Sequence, residues 1–182
     1  MTKDKISSKT ILFVILFSVL IFYAPFGLSA AQGETKQIPV LKVTASSDGT
    51  KSPKEWPHHP EMVIDGNTYT CWASSTNDTI GSWLKFSFKG QAKVSGMEIV
   101  NGWIPKDYPN FFSQNHRAKK ITAIFDDGSR ETFVLEDTNK PQRILLKKKR
   151  MTKTVKISID AIYQAEQVEE PWVTISEIFF YG

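Results

Sequence analysis

Apolar and polar residues alternate with a period of two through most of the chain, the spacing of a β-strand that buries one face. Residues 83–88, for example, place Leu84, Phe86 and Phe88 on one face. Roughly eight short segments follow this pattern: 40–45, 83–88, 94–100, 121–125, 131–135, 143–146, 155–162 and 173–181. Turn-forming residues separate them, and no helical periodicity is present. The pattern therefore predicts an all-β fold, either a β-sandwich or a jelly roll.

The first 31 residues differ from the rest of the chain. Lysines precede an almost unbroken apolar run at 11–23, and small residues follow at 28–31. This order is typical of a secretory signal peptide, and the apolar run is short for a bilayer span of about 20 residues. We expect cleavage after Ala30 or Ala31 and export to a secreted, periplasmic or cell-envelope surface location. An uncleaved membrane anchor is the alternative.

The remaining sequence predicts one nearly neutral domain. Residues 32–39 are polar and indicate a linker, so the domain is expected to span 40–182. The net charge of the whole chain is +4, of which the three lysines and one aspartate of residues 1–31 supply +2. A nucleic-acid partner is therefore not expected. Cys71 is the only cysteine, so no disulfide framework exists, and we expect a small buried apolar role for its side chain.

An oxygen-rich turn follows the first predicted strand. An apolar lead-in ends at Asp65, Gly66 and Asn67, where the chain must turn tightly. Thr70 adds a hydroxyl, and Trp72 provides a large apolar anchor for the loop. Side-chain and main-chain oxygens in such a turn suit Ca²⁺. The turn offers no paired acid and base and no activated nucleophile, so it does not predict a catalytic centre.

Two loops carry aromatic residues outside the strand alternation. A sugar offers a weakly apolar C–H face and a rim of hydroxyls, so its site needs flat aromatic rings and planar amide or guanidinium groups. The loop at 101–119 supplies both kinds of group, and the loop at 52–60 could face it. The predicted glycan-binding residues are Trp56, His58, His59, Trp103, Tyr108, Phe111, Phe112, Asn115 and Arg117. In the alternative interpretation, Trp103 packs inward and Arg117 pairs with a neighbouring carboxylate.

Residues 147–150 form the one run of like charges, Lys-Lys-Lys-Arg. Because the run lies between two predicted strands, we expect a solvated hairpin loop. The alternative is an electrostatic contact with an anionic surface, such as an acidic polysaccharide or phospholipid headgroups.

Seven motifs in order carry a family resemblance: Ala45-Ser46-Ser47, Ile64-Asp65-Gly66-Asn67 with Thr70-Cys71-Trp72, Ser82-Trp83-Leu84-Lys85-Phe86, Asn101-Gly102-Trp103, Asn115-His116-Arg117, Phe125-Asp126-Asp127-Gly128 and Ile175-Ser176-Glu177-Ile178-Phe179-Phe180-Tyr181-Gly182. Together they resemble a discoidin-like (coagulation factor type C) module, most nearly the glycan-binding domain named after NAD-glycohydrolase toxins. The resemblance implies an eight-stranded antiparallel jelly roll of the galactose-binding, discoidin-like type. It also implies binding rather than catalysis, with the site on loops at one end of the barrel.

The same resemblance implies a structural Ca²⁺. Related carbohydrate-binding members hold the ion with oxygens from the Asp-Gly-Asn turn, from the Thr two residues before Trp, and from the Glu of the last strand. These positions correspond to Asp65, Asn67, Thr70 and Glu177. In the alternative interpretation, Asp65 and Asn67 only cap a turn and Glu177 pairs with a lysine.

The function predicted from these observations is an exported, non-catalytic, lectin-like carbohydrate-binding module whose partner is a glycan or polysaccharide. The alternative is a surface adhesion or interaction protein that uses the same loops against a protein, a cell surface or an anionic membrane. We expect no membrane span after signal cleavage. No enzymatic activity is predicted, because the sequence contains no catalytic triad pattern, no carboxylate pair in one loop and no phosphate-binding Gly run.

Overall fold

Eight strands form in the computed structural model, which describes residues 36–49, 58–166 and 171–182. They are β1 (Gln37–Ile38), β2 (Val40–Ala45), β3 (Trp72–Ala73), β4 (Trp83–Asn101), β5 (His116–Phe125), β6 (Arg130–Val134), β7 (Gln142–Tyr163) and β8 (Val173–Tyr181). A 3-10 helix at Pro60–Ile64 and a short helix α1 at Phe111–Gln114 complete the described elements. The predicted signal peptide and Trp56 lie outside the described residues.

The strands pair in the order β1-β8-β4-β7-β5-β6, while β2 pairs with β4 and β3 pairs with β8. All pairings are antiparallel except the one between β5 and β8, where His116 and Arg117 lie opposite Val173 and Thr174. Because β8 contacts both β4 and β5, the sheet closes on itself at this end. The prediction of an all-β, eight-stranded jelly roll is confirmed.

The eight strands are not the same eight that the alternation predicted. β4 and β7 each join two segments that the sequence pattern predicted as separate strands. Bulges shift the register of this strand pair between Ser87 and Ala92 and between Val94 and Gly96, but they do not end either strand. The short strands β1 and β3 were not predicted. Since β1 pairs with the end of β8, residues 37–38 of the predicted linker belong to the sheet.

The run of basic residues at 147–150 also lies inside a strand, so the predicted hairpin loop is wrong. The run contains none of the Gly, Pro, Asn or Asp residues that form tight turns, and β7 continues through it as a bulge. Arg150 forms an ion pair with Glu131 at 3.3 Å and lies over the Phe125 ring. The backbone N–H of Lys147 donates a hydrogen bond to the same carboxylate.

The inward faces of the strands form one apolar core. Its largest fully buried side chains include Trp72, Phe86, Phe180, Ile121 and Ile157. Phe86 and Phe180 meet edge to face with ring centroids 5.0 Å apart. Burying one such side chain contributes about 2 to 3 kcal/mol, so these contacts supply much of the free energy of folding.

The large apolar anchor of the predicted turn, Trp72, is part of this core. Trp72 is fully buried, as expected from the sequence, and its Nε1–H donates a hydrogen bond to the Ser47 carbonyl at 2.9 Å. Cys71 is buried too. Within the described residues, no helix has the length and apolar character needed to cross a membrane.

Candidate functional site

His58, in the described part of the 52–60 loop, contacts the loop at 101–119 at one end of the barrel. The indole N–H of Trp103 donates to the carbonyl of Tyr69 at 2.7 Å, and the rings of His58 and Trp103 are 4.7 Å apart. A third loop joins them after β7, where the Glu166 N–H donates to the Ser113 carbonyl at 2.8 Å. These contacts bring residues far apart in sequence to a single surface.

The aromatic loop turns sharply because of Gly102. Its φ is +73°, and a Cβ at this position would lie 2.6 Å from the ring of Phe112. Any other residue would therefore be strained and would displace Phe112. After this turn the chain runs to α1, whose last turn is held by a hydrogen bond from the Asn115 amide to the Phe111 carbonyl at 2.9 Å. The loop thus has a defined shape.

Trp103 and His58 form the buried base of the site. Trp103 is 3% exposed and His58 is 2% exposed, so neither presents the open face that the sequence predicted. The His58 ring also lies 5.3 Å from the ring of Trp172. Because burial lowers the pKa of His58, this histidine is neutral near pH 7. The alternative interpretation of Trp103, that it packs inward, is the one that matches the structure.

Arg117 and Asn115 hold the loop instead of presenting polar groups to solvent. The Arg117 guanidinium makes a two-point ion pair with Asp137, with N···O distances of 2.9 and 2.7 Å. It also donates to the carbonyls of Asn115 and Gln164 and lies over the ring of Phe112. Arg117 and Asn115 are both buried, so their predicted role as a hydroxyl-binding rim is corrected to a structural one.

Tyr108 is the exposed aromatic side chain of the loop at 101–119. Its side chain is 46% exposed and stacks on Phe111, with ring centroids 5.2 Å apart and an interplanar angle of 29°. Phe111 in turn meets Trp103 edge to face at 5.3 Å. We call the surface formed by Tyr108 and Phe111 the aromatic platform. A solvent-facing ring is therefore connected to the buried base through two ring contacts.

The other predicted glycan-binding residues that the structure describes are His59 and Phe112. His59 is exposed, and its Nδ1 lies 3.3 Å from the Asp48 carboxylate. Phe112 is half-buried under Arg117. Sequence reasoning missed Tyr69, which is 55% exposed, and Trp172, which contacts His58. Their position in turn-rich segments beside β3 and β8 was the available signal.

The predicted cation residues all come together in the structure. Asn67 donates its backbone N–H to Asp65 Oδ1 and to Glu177 Oε1, both at 2.8 Å. The Thr70 hydroxyl lies 2.8 Å from Asp65 Oδ2 and 2.7 Å from the Asn67 carbonyl. Gly66 has a φ of +76°, which permits the tight turn between Asp65 and Asn67. We call these four residues and Gly66 the oxygen turn.

Glu177 is an unusual carboxylate within this turn. It is fully buried, and its Oε2 has no hydrogen-bond partner. Burial, and then the neighbouring Asp65 carboxylate, raise the pKa of Glu177 from 4.5 to about 8. The ion pairs of the described residues do not include Glu177, so the alternative of a lysine partner is not observed. A cation would relieve both the burial and the repulsion.

The donor set fits a hard cation. Carboxylate, amide, hydroxyl and main-chain oxygens are the ligands that Ca²⁺ takes in proteins. Among the described residues, no group of three or more His, Cys, Asp or Glu side chains converges. A cation at the oxygen turn would therefore depend on the two carboxylates together with the neutral oxygens of Asn67, Thr70 and the main chain.

Comparison with solved structures identifies the same fold in carbohydrate-binding modules. The family 32 module of NanJ from Clostridium perfringens, solved with galactose, has a TM-score of 0.59 and 17% identity, covering 81% of this chain and 99% of that chain. The AlyQ family 32 module, solved with 4,5-unsaturated mannuronic acid, has a TM-score of 0.57 and 17% identity, covering 80% and 97%. An F5/8 type C domain from Bacteroides fragilis has a TM-score of 0.59 and 10% identity, covering 82% and 97%.

At these identities the structural likeness concerns the fold. No curated protein is significantly similar to the chain. The family model for the NAD glycohydrolase translocation F5/8 type C domain matches residues 35–181, which include all eight strands. The chain therefore belongs to the family of NAD glycohydrolase translocation F5/8 type C domains.

Proposed function

We propose that this domain binds a glycan through the aromatic platform. The observation that supports the proposal most strongly is Tyr108, a ring nearly half exposed to solvent and yet stacked on Phe111. A ring that is already held in place loses little conformational freedom when a sugar stacks on it, so more of the contact energy appears as affinity. The glycan would lie with its C–H face on the platform.

Polar groups next to the platform would contact the hydroxyls of the sugar. Asn110 is exposed at the start of α1, and Gln114 is half-buried at its end. His59 is exposed on the neighbouring loop. These side chains replace Asn115 and Arg117, which are used in holding the loop. The site is therefore a small aromatic surface with a polar border, the combination that sugar recognition needs.

Known ligands of the same fold support this ligand class. The NanJ module was solved with galactose and the AlyQ module with an unsaturated mannuronic acid. Both ligands are sugars with a weakly apolar face and hydroxyl groups, the chemistry that the aromatic platform suits. Which sugar this chain prefers depends on the polar border, which is formed by its own loop residues.

The proposed activity is binding without catalysis. Cys71 and His58 come nearest to a nucleophile with a base, since Sγ lies 3.3 Å from Nδ1. Burial, however, raises the pKa of the Cys71 thiol well above its ordinary value and lowers the pKa of His58. A reactive cysteine requires the opposite shift toward a thiolate. This pair is therefore a neutral, buried contact in the core of the site.

We also propose that Ca²⁺ at the oxygen turn stabilises the domain. Asp65 and Glu177 would supply the negative charge, and Asn67 and Thr70 the neutral oxygens. The ion would offset the charge of the buried Glu177, which now lacks a partner for Oε2. Tyr69 follows in the same turn, and its carbonyl accepts the Trp103 N–H. Ordering this turn would therefore also support the base beneath the aromatic platform.

Export is part of the proposed function, since residues 1–31 predict a signal peptide and glycans are displayed outside the cell. N-terminal sequencing of the protein recovered from the producing cells should give a first residue after Ala30 or Ala31. A protein that begins near Met1 and stays with the membrane fraction would show an anchor instead.

A glycan array tests the central proposal. The labelled protein should bind one group of uncharged glycans, and Tyr108→Ala should reduce that signal by more than about tenfold, since stacked aromatic residues often dominate binding energy. Ile80→Ala is a matched control, because Ile80 is 62% exposed and lies outside the platform. Equal signals from the wild type and Tyr108→Ala would overturn the proposal, and binding to a protein surface without any glycan signal would favour the adhesion alternative.

A further inference from the structure

Basic residues lie in register across the outer face of one part of the sheet. One residue on each of five neighbouring strands contributes to a continuous row. In the strand order β2-β4-β7-β5-β6, these residues are Thr44, Lys85, Lys156, Ile124 and Arg130. Residues directly opposite each other on antiparallel strands share one face. Lys85, Lys156 and Arg130 therefore form a single row, and we call this surface, together with Lys42 beside Ser87, the basic face.

The charges of the basic face are not neutralised within the domain. None of its four basic residues takes part in the ion pairs of the described residues. Lys85 and Lys156 are direct cross-strand neighbours, an arrangement of like charges that destabilises a sheet. The nearest acidic side chain on the same face of β7 is Asp160, which accepts a hydrogen bond from Thr122. A like-charge pair with no counter-ion indicates a surface suited to an anionic partner.

The rest of the face is hydroxyl-rich with one aromatic ring. Thr44 lies in the row, and the residues next to the row are largely Ser and Thr: Ser87, Thr154, Ser158, Thr122 and Thr132. Trp83 lies in the next row opposite Ser158, and the Lys156 ammonium is 4.7 Å from its ring centroid. The row itself contains no exposed large apolar side chain that would enter a bilayer. Hydroxyls, cations and a flat ring suit a charged sugar chain better than a lipid surface.

We propose that the basic face binds an anionic polysaccharide. Adjacent strands are about 4.8 Å apart, so Lys85 and Lys156 are one strand spacing apart, and Lys156 and Arg130 are two strand spacings apart. The row therefore presents several cations in line to a chain with repeating carboxylates. The surface is separate from the aromatic platform. Lys156 is seven residues from Tyr163, the partner of Arg117 at the loop end, which corresponds to roughly 20 Å along β7. The proposal therefore does not depend on glycan binding by the loops.

Titration of the purified protein with polygalacturonate tests this assignment. The variant Lys85→Gln/Lys156→Gln should bind at least tenfold more weakly, and the dependence of affinity on salt should become shallower because fewer cations contact the polymer. Lys36→Gln/Lys140→Gln is the matched control, with the same change in net charge at two exposed lysines outside the basic face. The control should bind within about twofold of the wild type.

Two controls separate a loss of binding from unfolding and from binding at the aromatic platform. Removing the repulsion between Lys85 and Lys156 should leave the melting temperature equal or higher, so a loss of binding cannot be attributed to unfolding. Tyr108→Ala should retain polygalacturonate binding. Equal weakening by both double variants, or no binding to polygalacturonate, would overturn the proposal. The proposal would also be overturned if phosphatidylserine vesicles or DNA bind through Lys85 and Lys156 and polygalacturonate does not bind.

Discussion

The oxygen turn and the aromatic loop were both identified in the sequence, but the positions predicted for their residues match the structure to different extents. In the oxygen turn all four predicted residues come together: the Thr70 hydroxyl contacts Asp65, and the backbone N–H of Asn67 contacts Asp65 and Glu177. In the aromatic loop, Trp103 and Arg117 face inward, and Tyr108 remains at the surface. Short polar side chains in a tight turn satisfy each other locally, whereas the direction of an aromatic ring depends on distant packing partners.

The distant partners of the loop explain the difference. Arg117 is held by Asp137, which follows β6, and Trp103 is held by the Tyr69 carbonyl. Neither partner is adjacent in sequence to the side chain that it holds. The oxygen turn requires only one remote residue, Glu177 on β8. Local chemistry is therefore a better guide to the cation residues than to the glycan residues.

The largest expected effect is the loss of the Arg117 ion pair. Arg117→Ala would remove the ion pair with the exposed Asp137 carboxylate and leave the Asn115 and Gln164 carbonyls without their donor, and each buried acceptor left unsatisfied costs about 1 to 3 kcal/mol. Chemical denaturation should show this decrease in the free energy of unfolding. Lys120→Ala, at an exposed position on the same strand, should be nearly neutral. An Arg117→Ala protein that melts like the wild type but no longer binds glycan would restore the ligand-binding role predicted from sequence.

The next effect concerns the oxygen turn. A ligand that binds only the folded state stabilises it by about 2.7 kcal/mol at a hundredfold excess over its Kd. The melting temperature should therefore rise with Ca²⁺ and fall with chelator, and Asp65→Ala should abolish the difference. Glu61→Ala, an exposed acidic residue four positions earlier, is the control and should keep the response. A chelator-insensitive melting curve together with no metal by elemental analysis would remove the cation from the account.

The exposed half of the aromatic loop should behave in the opposite way to Arg117. Tyr108→Ala should weaken glycan binding by more than tenfold, or about 1.4 kcal/mol, and leave the melting temperature nearly unchanged. Titration calorimetry and a thermal melt on the same sample measure both quantities. A variant that loses stability and keeps its affinity would place Tyr108 among the structural aromatics with Trp103.

The smallest expected effect is the change in stability between pH 7 and 8. The pKa of Glu177 is raised from 4.5 to about 8 in the folded state, so stability without cation falls as pH rises through this interval, by at most about 1.4 kcal/mol per pH unit. The lowered pKa of His58 acts in the opposite sense, because its contribution is lost as pH falls below 6.5. The free energy of unfolding measured between pH 7 and 8 therefore reports the titration of Glu177 without that of His58.

A matched variant and added cation separate the causes. Glu177→Gln should remove most of the slope between pH 7 and 8. Since Ca²⁺ would bind the ionised carboxylate, saturating cation should also remove the slope, and its affinity should increase with pH. A slope that persists in Glu177→Gln would assign the titration to another group.

Much of the fold was predictable because period-two alternation records which face of each strand is buried. The bounds of β2 and β8 were predicted to the residue. The joined strands β4 and β7 were not, because bulges at Ser87 and Val94 interrupt the alternation without ending the hydrogen-bonded ladder. β3 has two residues, too few for any periodicity. The exposure of the aromatic side chains in the loop depends on packing partners that are distant in sequence, so a local sequence pattern does not predict it.

The most direct test of glycan binding at the aromatic platform is an NMR titration of the isotopically labelled protein with the uncharged glycan that binds most strongly on the array. Glycan binding at the aromatic platform should produce the largest amide shift changes at residues 108–114 and at Tyr69, with smaller changes along the strands. Shift changes concentrated on the basic face around Lys85 and Lys156, with residues 108–114 unaffected, would contradict it.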